Sequence, residues 1–145
     1  MIQKEKDIKV DKQEEPTTSG EFIFSNNDRY KGEYYLNENG VIQRHGFGTH
    51  TTSSGIVYSG CWKKDKMNGK GQLRYPSGAT YEGEFNDNHY EGQGVYTWPE
   101  GCAYKGSFSG SKLQGNGTFS DIHRQNWIGQ FHFKAAPGLR FILNL

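Results

Sequence analysis

The sequence predicts an all-β fold: an elongated single-layer antiparallel sheet built from tandem β-hairpins. Three observations predict it. An aromatic-x-Gly motif recurs at a spacing of 23 residues, at Tyr58, Tyr81, Tyr104 and Trp127. A Gly-x-Gly follows at a fixed distance, at Gly69-Gly71, Gly92-Gly94 and Gly115-Gly117. The chain is only 32% hydrophobic over 145 residues, with 14% aromatics and 20 glycines, too little aliphatic matter for a two-layer core. A helical reading fails, because glycine in every unit costs roughly 1 kcal/mol each relative to alanine.

Taken in order, residues 1–17 mix Lys, Asp and Glu without apolar periodicity and read as a disordered charged tail. No signal-peptide stretch and no run of apolar residues long enough for a membrane helix is found. The repeat array spans 18–138. It opens with a half unit at 18–29, where Gly20, Phe22 and Phe24 stand relative to Tyr30 as Gly94, Tyr96 and Trp98 stand relative to Tyr104. The first full unit begins at Tyr30-Lys31-Gly32 and reaches Gly46-x-Gly48 five residues late. The extra residues lie around Asn39-Gly40 and predict a longer loop.

Units then open at 58, 81 and 104, and a partial unit at 127. Within Tyr81-Glu82-Gly83-Glu84-Phe85, alternation places Tyr81, Gly83 and Phe85 on one face and both glutamates on the other. The same holds for Tyr30 and Gly32; for Tyr58, Gly60 and Trp62; for Tyr104, Gly106 and Phe108; and for Trp127, Gly129 and Phe131. These are the structural residues: rings on one strand lie over glycines on the next, where no Cβ intervenes. Asn86 to Glu91 is turn-like in composition, and Pro99-Glu100-Gly101 supplies a second turn. The unit opening at 104 breaks the pattern, with Arg124 for the turn glycine and Asp121 where the preceding unit has Trp98.

The last segment, 139–145, is an apolar strand with Leu139, Phe141, Leu143 and Leu145 on one face. Two uses compete: covering the open edge of the array, or joining a partner's sheet or groove.

These motifs resemble the MORN repeat (membrane occupation and recognition nexus), whose unit begins Tyr-x-Gly-x-Phe/Trp and continues with Gly-x-Gly. The resemblance covers about Thr18 to Phe133. The ending from Trp127 to Pro137 looks like that of small MORN-repeat proteins of ciliated organisms and male germ cells. The resemblance implies a non-catalytic module that organises ciliary, flagellar or other cytoskeletal structures, or that sits beside phospholipid-handling enzymes.

The residues themselves carry no catalytic constellation. The five histidines stand in no metal-ligand spacing, no phosphate-binding loop is present, and the Gly-x-Gly pairs lack a third glycine. Catalytic, metal and cofactor sites are therefore expected to be none. Cys61 and Cys102 occupy unrelated positions and read as free thiols of a reducing compartment. The net charge of +1 argues against nucleic acid as a partner.

Binding is the expected work. Tyr75, Tyr96 and Trp98, with Leu139, Phe141, Leu143 and Leu145, are the protein-binding candidates. Charge distinguishes neighbouring units: residues 58–80 carry +4 and residues 81–103 carry −5. Lys63, Lys64, Lys66, Lys70 and Arg74 form the candidate patch for an acidic partner or anionic phospholipid, with Lys63 to Lys70 expected in a hairpin loop. A cytoplasmic or cytoskeletal location, in a ciliary or flagellar axoneme, follows from the resemblance.

Overall fold

The computed structural model describes residues 16–132, together with the backbone of 140–142. Its strands form one antiparallel sheet in sequence order, each pairing with the next along the chain. They are β1 (Thr18–Ile23), β2 (Arg29–Leu36), β3 (Ile42–Thr51), β4 (Val57–Lys63), β5 (Lys66–Arg74), β6 (Thr80–Asn86), β7 (His89–Thr97), β8 (Ala103–Ser109), β9 (Lys112–Ser120), β10 (Asn126–His132) and β11 (Arg140–Ile142). The all-β single-layer reading is what the chain adopts.

Register is set by one line of glycines. Gly20, Gly32, Gly48, Gly60, Gly71, Gly83, Gly94, Gly106, Gly117 and Gly129 pair successively across β1 to β10. Above this row lie the tyrosines that open the units. A Cβ on Gly94 would sit 2.5 Å from the Tyr81 hydroxyl oxygen, and one on Gly83 would sit 2.5 Å from the Gly94 Cα. The glycines of each crossing thus let two backbones and a ring approach one another.

The first glycine of each Gly-x-Gly has a different task. Gly92 has φ +70° and stands in a bulge, where Gly83 and Phe85 oppose Gly94 and Tyr90. Left-handed backbone at this point favours glycine. The bulge accentuates the twist of the hairpin.

The turns come in two kinds. Within units, Lys64-Asp65, Asp87-Asn88 and Gly110-Ser111 all have positive φ, the two-residue form that matches strand twist. Between units, the backbone N–H of Gly78 donates to Tyr75 O and that of Gly101 to Trp98 O, each at 3.0 Å. The corresponding turn after β9 ends on Arg124 at φ +61°. There the Asp121 carboxylate accepts from the N–H groups of His123 and Gln125 at 2.8 and 2.9 Å, holding the turn without glycine. That is why the departure at 121 accompanies the departure at 124.

Three expectations are corrected. The segment Asn86 to Glu91 is mostly strand, reversing only at Asp87-Asn88, and its Tyr90 is buried. The five extra residues of the first unit lengthen the hairpin itself. Tyr35 pairs with Gln43 and Leu36 with Ile42 before a turn at Asn37 to Val41, closed by the Asn37 carboxamide oxygen accepting from Val41 N–H at 3.0 Å. The basic cluster is not one loop: Lys63 ends β4, Lys64 is in the turn, and Lys66 and Lys70 belong to β5.

Glycine replacements separate these roles. Gly94→Ala is expected to cost about 3 kcal/mol, because the new methyl meets the Tyr81 ring. Gly101→Ala has open space and only its backbone conformation (φ +104°) to contend with, and should cost about 1 to 2 kcal/mol. Urea denaturation of the two variants checks the order.

Candidate functional site

One face of the sheet is a ladder of rings. Tyr30, Trp62, Tyr58, Phe85, Tyr81, Phe108, Tyr104 and Phe131 alternate edge to face, with successive centroids 4.6 to 5.8 Å apart. Every second ring comes from the next unit, so the ladder joins units and not only strands. Each tyrosine also donates its hydroxyl to a carbonyl three residues on: Tyr30 to Glu33, Tyr58 to Cys61, Tyr81 to Glu84 and Tyr104 to Ser107, at 2.6 to 3.0 Å. The Trp62 indole N–H donates to Gly48 O at 3.1 Å. The polar ends of buried rings are thereby satisfied. Trp127 takes the tyrosine's place in the partial unit, opposite Phe119, and Gly129 pairs with Gly117.

The distal rings form a second row on this face. Tyr81 stacks on Tyr90 at 3.9 Å, and the Tyr75 and Tyr90 hydroxyls bond to each other. Trp98 packs between Tyr96 at 4.9 Å and Phe119 at 5.9 Å. Tyr75, Tyr96 and Trp98 are thus brought together as half-buried rings along the outer side of the spine. Tyr90 belongs with them and was missed by sequence reasoning. The signal was present, since it stands two residues before Gly92 as Met67 stands before Gly69 and Leu113 before Gly115.

Arg44 occupies that same position in the first unit, two residues before Gly46. Its guanidinium lies 4.1 Å from the Trp62 ring centroid and its Nε donates to the Asp65 carboxylate at 2.6 Å. Arg44 also meets His50 Nδ1 at 3.1 Å, and His50 Nε2 meets the Asp28 carboxylate at 3.1 Å. Burial lowers the His50 pKa, the hydrogen bond to Asp28 acting in the opposite direction. This chain of polar contacts was not foreseen, because its partners lie 21 and 22 residues apart in the chain.

Hairpin tips interlock through short acceptor side chains. Asn88 N–H donates to Met67 O at 3.1 Å while the Asn88 side-chain oxygen accepts from Met67 N–H at 2.9 Å. Asp65 makes the same pair of contacts with Arg44, and Ser111 with Tyr90. The residue at this place needs left-handed backbone and a nearby acceptor, which Asp, Asn and Ser provide.

The opposite face is polar and open. Ser59, Lys70, Gln72, Glu82, Glu84, Gln93, Val95 and Lys105 flank the glycine row, which floors a groove of about 590 Å³. Glu84 accepts from Gln93 N–H at 2.8 Å, and Glu33 from Phe47 N–H at 2.5 Å, so both carboxylates secure bulges. Glu91 accepts from Gly110 N–H at 3.0 Å. Phe47 is 58% exposed on this face.

The basic candidates therefore divide. Lys70 faces the groove opposite Glu84, and Arg74 ends β5 with its guanidinium on Gln72. Lys63, Lys64 and Lys66 surround a hairpin tip. The lengthened first hairpin exposes Leu36 at 58% and Val41 at 56%. At the C-terminal end, β11 pairs with β10, setting Phe141 opposite Trp127. Only the backbone of Phe141 is described, and Leu139, Leu143 and Leu145 lie outside the described residues.

The ladder has a pH signature. Burial pushes the Tyr30 pKa up to about 12 and raises those of Tyr58, Tyr81, Tyr90 and Tyr104 as well. Unfolded tyrosine ionises near pH 10, so the folded chain holds these protons longer. The contribution to stability is complete below about pH 10 and is lost as pH rises through 12 and beyond. Urea midpoints across this range should fall together with the appearance of tyrosinate absorbance.

The profile of the MORN repeat matches residues 43–57, 58–80, 81–103 and 104–121. A search of curated proteins finds no matching relative. MORN repeats are non-catalytic modules that mediate protein or membrane interactions. Four consecutive matches cover more than half of the chain, in the register that the glycine row and ring ladder define, and the chain belongs to the MORN repeat family.

Proposed function

We propose that this chain is a non-catalytic structural adaptor that binds other proteins through its repeat surface, in a cilium, flagellum or other cytoskeletal assembly. The observation that carries the protein-binding part is the two-sided sheet. One register of glycines closes a ring face and leaves a polar face running across the strands, with Gln72, Glu82, Val95 and Lys105 side by side. Arrays of this kind work by presenting an extended surface. Two carboxylates near the groove, Glu84 and Glu91, hold backbone N–H groups. The ciliary and cytoplasmic placement rests on the likeness of the chain's ending to small members of the family.

Full-length chain added to demembranated axonemes should co-sediment with them, and affinity capture from ciliated cells should return axonemal proteins. A chain that stays wholly in the soluble fraction of ciliated cells would count against this assignment.

A second reading has its own observation. The hairpin tip carrying Lys63, Lys64 and Lys66 is bonded to Arg44 of the longer first hairpin, which exposes Leu36 and Val41 toward its own tip. Lysines and exposed apolar side chains on neighbouring hairpins suit an anionic bilayer surface, at about 1 kcal/mol per basic residue. Under this reading, vesicles containing phosphatidylserine bind the chain at low salt and release it at high salt. Lys63→Glu with Lys64→Glu and Lys66→Glu should abolish that binding; vesicles that fail to bind even at low salt rule this version out.

A further inference from the structure

The repeat provides its own mould for what each position should hold. At three between-unit turns the first residue packs on the ring face of the following unit. Phe24 lies 5.9 Å from the His50 ring, Tyr75 meets the Tyr90 hydroxyl, and Trp98 lies 5.9 Å from Phe119. All three are half-buried against the core. At the corresponding place after β3 stands Thr52, which has no ring.

The space is left open. A socket of about 300 Å³ is lined by Ile56, Tyr58, Trp62, Met67 and Leu73, and rimmed by Arg44, His50, Thr52, Asp65 and Asn88. Ile56 fills part of it, standing where the next units have Ala79 and Cys102. Thr52 is spent on its own turn, its hydroxyl accepting from Ile56 N–H at 3.0 Å.

We propose that this socket receives an aromatic side chain supplied by a partner polypeptide, flanked in that partner by acidic residues. The ring is argued from the three equivalent places, where this same fold accepts Phe, Tyr and Trp. The acidic flanks are argued from charge. The unit that holds the socket carries +4, and Lys64 and Lys66 flank Asp65 at the hairpin tip, with Lys63 paired across it to Lys66 on the face away from Trp62 and Met67. Asp65 is already offset by Arg44, which leaves the tip beside the socket net positive. A ring entering here would lie beside Met67 and above Tyr58, as Tyr75 lies beside Tyr90 and Tyr90 on Tyr81 one unit later. The inference rests on the protein-binding reading and names the chemistry of one contact within it.

The chain has two methionines, and Met67 lies in the socket while Met1 is at the terminus. Full-length protein labelled with ¹³C at the methionine methyls therefore reports on the socket. Titration with a synthetic peptide of sequence Asp-Glu-Trp-Glu-Asp should shift the Met67 methyl saturably. The peptide with Ala for Trp should bind about 30-fold more weakly, the loss typical of an anchoring aromatic. Thr52→Tyr should fold with an unchanged or raised Tm and lose the peptide, because its own ring fills the space. Thr52→Val keeps the socket and should keep binding, which separates filling from loss of the turn hydroxyl. A Met67 signal that does not move, equal binding by the Ala peptide, or a Thr52→Tyr chain that binds as before would overturn the proposal. So would unfolding of Thr52→Tyr beside a stable Thr52→Val, since the space would then not accept a ring. Failure of the peptide with axonemal co-sedimentation intact would remove the socket and leave the adaptor reading standing.

Discussion

Edge-to-face contact between rings of neighbouring units is the interaction on which the rest of the molecule depends. A one-layer sheet has no second layer to bury its apolar face. The tyrosine of one unit and the Phe or Trp of the next solve this by packing on each other along the sheet. Tyr58 touches both Trp62 of its own unit and Phe85 of the next, at 5.0 and 5.1 Å. Each such contact contributes about 0.5 to 1.5 kcal/mol beyond burial. The core is therefore a line, and every unit is completed by its neighbour.

This constraint explains the glycines. For Tyr81 to lie flat over the adjoining strand, Gly94 must have no side chain, and Gly83 must let the Gly94 backbone approach. For the hairpin to twist enough to hold that ring, Gly92 must bulge. The two glycines of the motif look alike in sequence yet answer different demands, one of space and one of backbone conformation. The hydroxyl of the same tyrosine then anchors to the Glu84 carbonyl, which fixes the ring against the strand that carries it.

With the framework so uniform, individuality resides in the positions around it. The residue two before the bulge is Arg44, Met67, Tyr90 or Leu113, and each gives its stretch of the ring face a different character. Arg44 draws in Asp65, His50 and Asp28 and makes the first junction charged. Tyr90 makes the third unit densely aromatic. The first between-unit turn residue varies likewise, from Phe24 to Thr52, Tyr75, Trp98 and Asp121. On the other face, Lys70 and Glu82 stand on adjacent strands and set local charge without disturbing the rings behind them.

By itself the sequence determined the unit, its hairpin form, the single antiparallel layer and the identity of the spine. Tyr58, Gly60, Trp62 and their counterparts recur at one spacing, and a strand's alternation converts that spacing directly into a face. It did not disclose Tyr90 as core, because its neighbours Asp87, Asn88 and His89 have turn composition and burial depends on the ring of Tyr81 from the facing strand. Nor did it disclose the Arg44–Asp65 and His50–Asp28 pairs, which lie 21 and 22 residues apart in the chain. The division of the lysines likewise belongs to tertiary structure. Residues close in the chain fall on opposite sides of a hairpin or on its tip, and pairing, not spacing, decides which. Periodicity reports what every unit shares; the contacts that make one unit differ from the next arise only when strands are laid side by side.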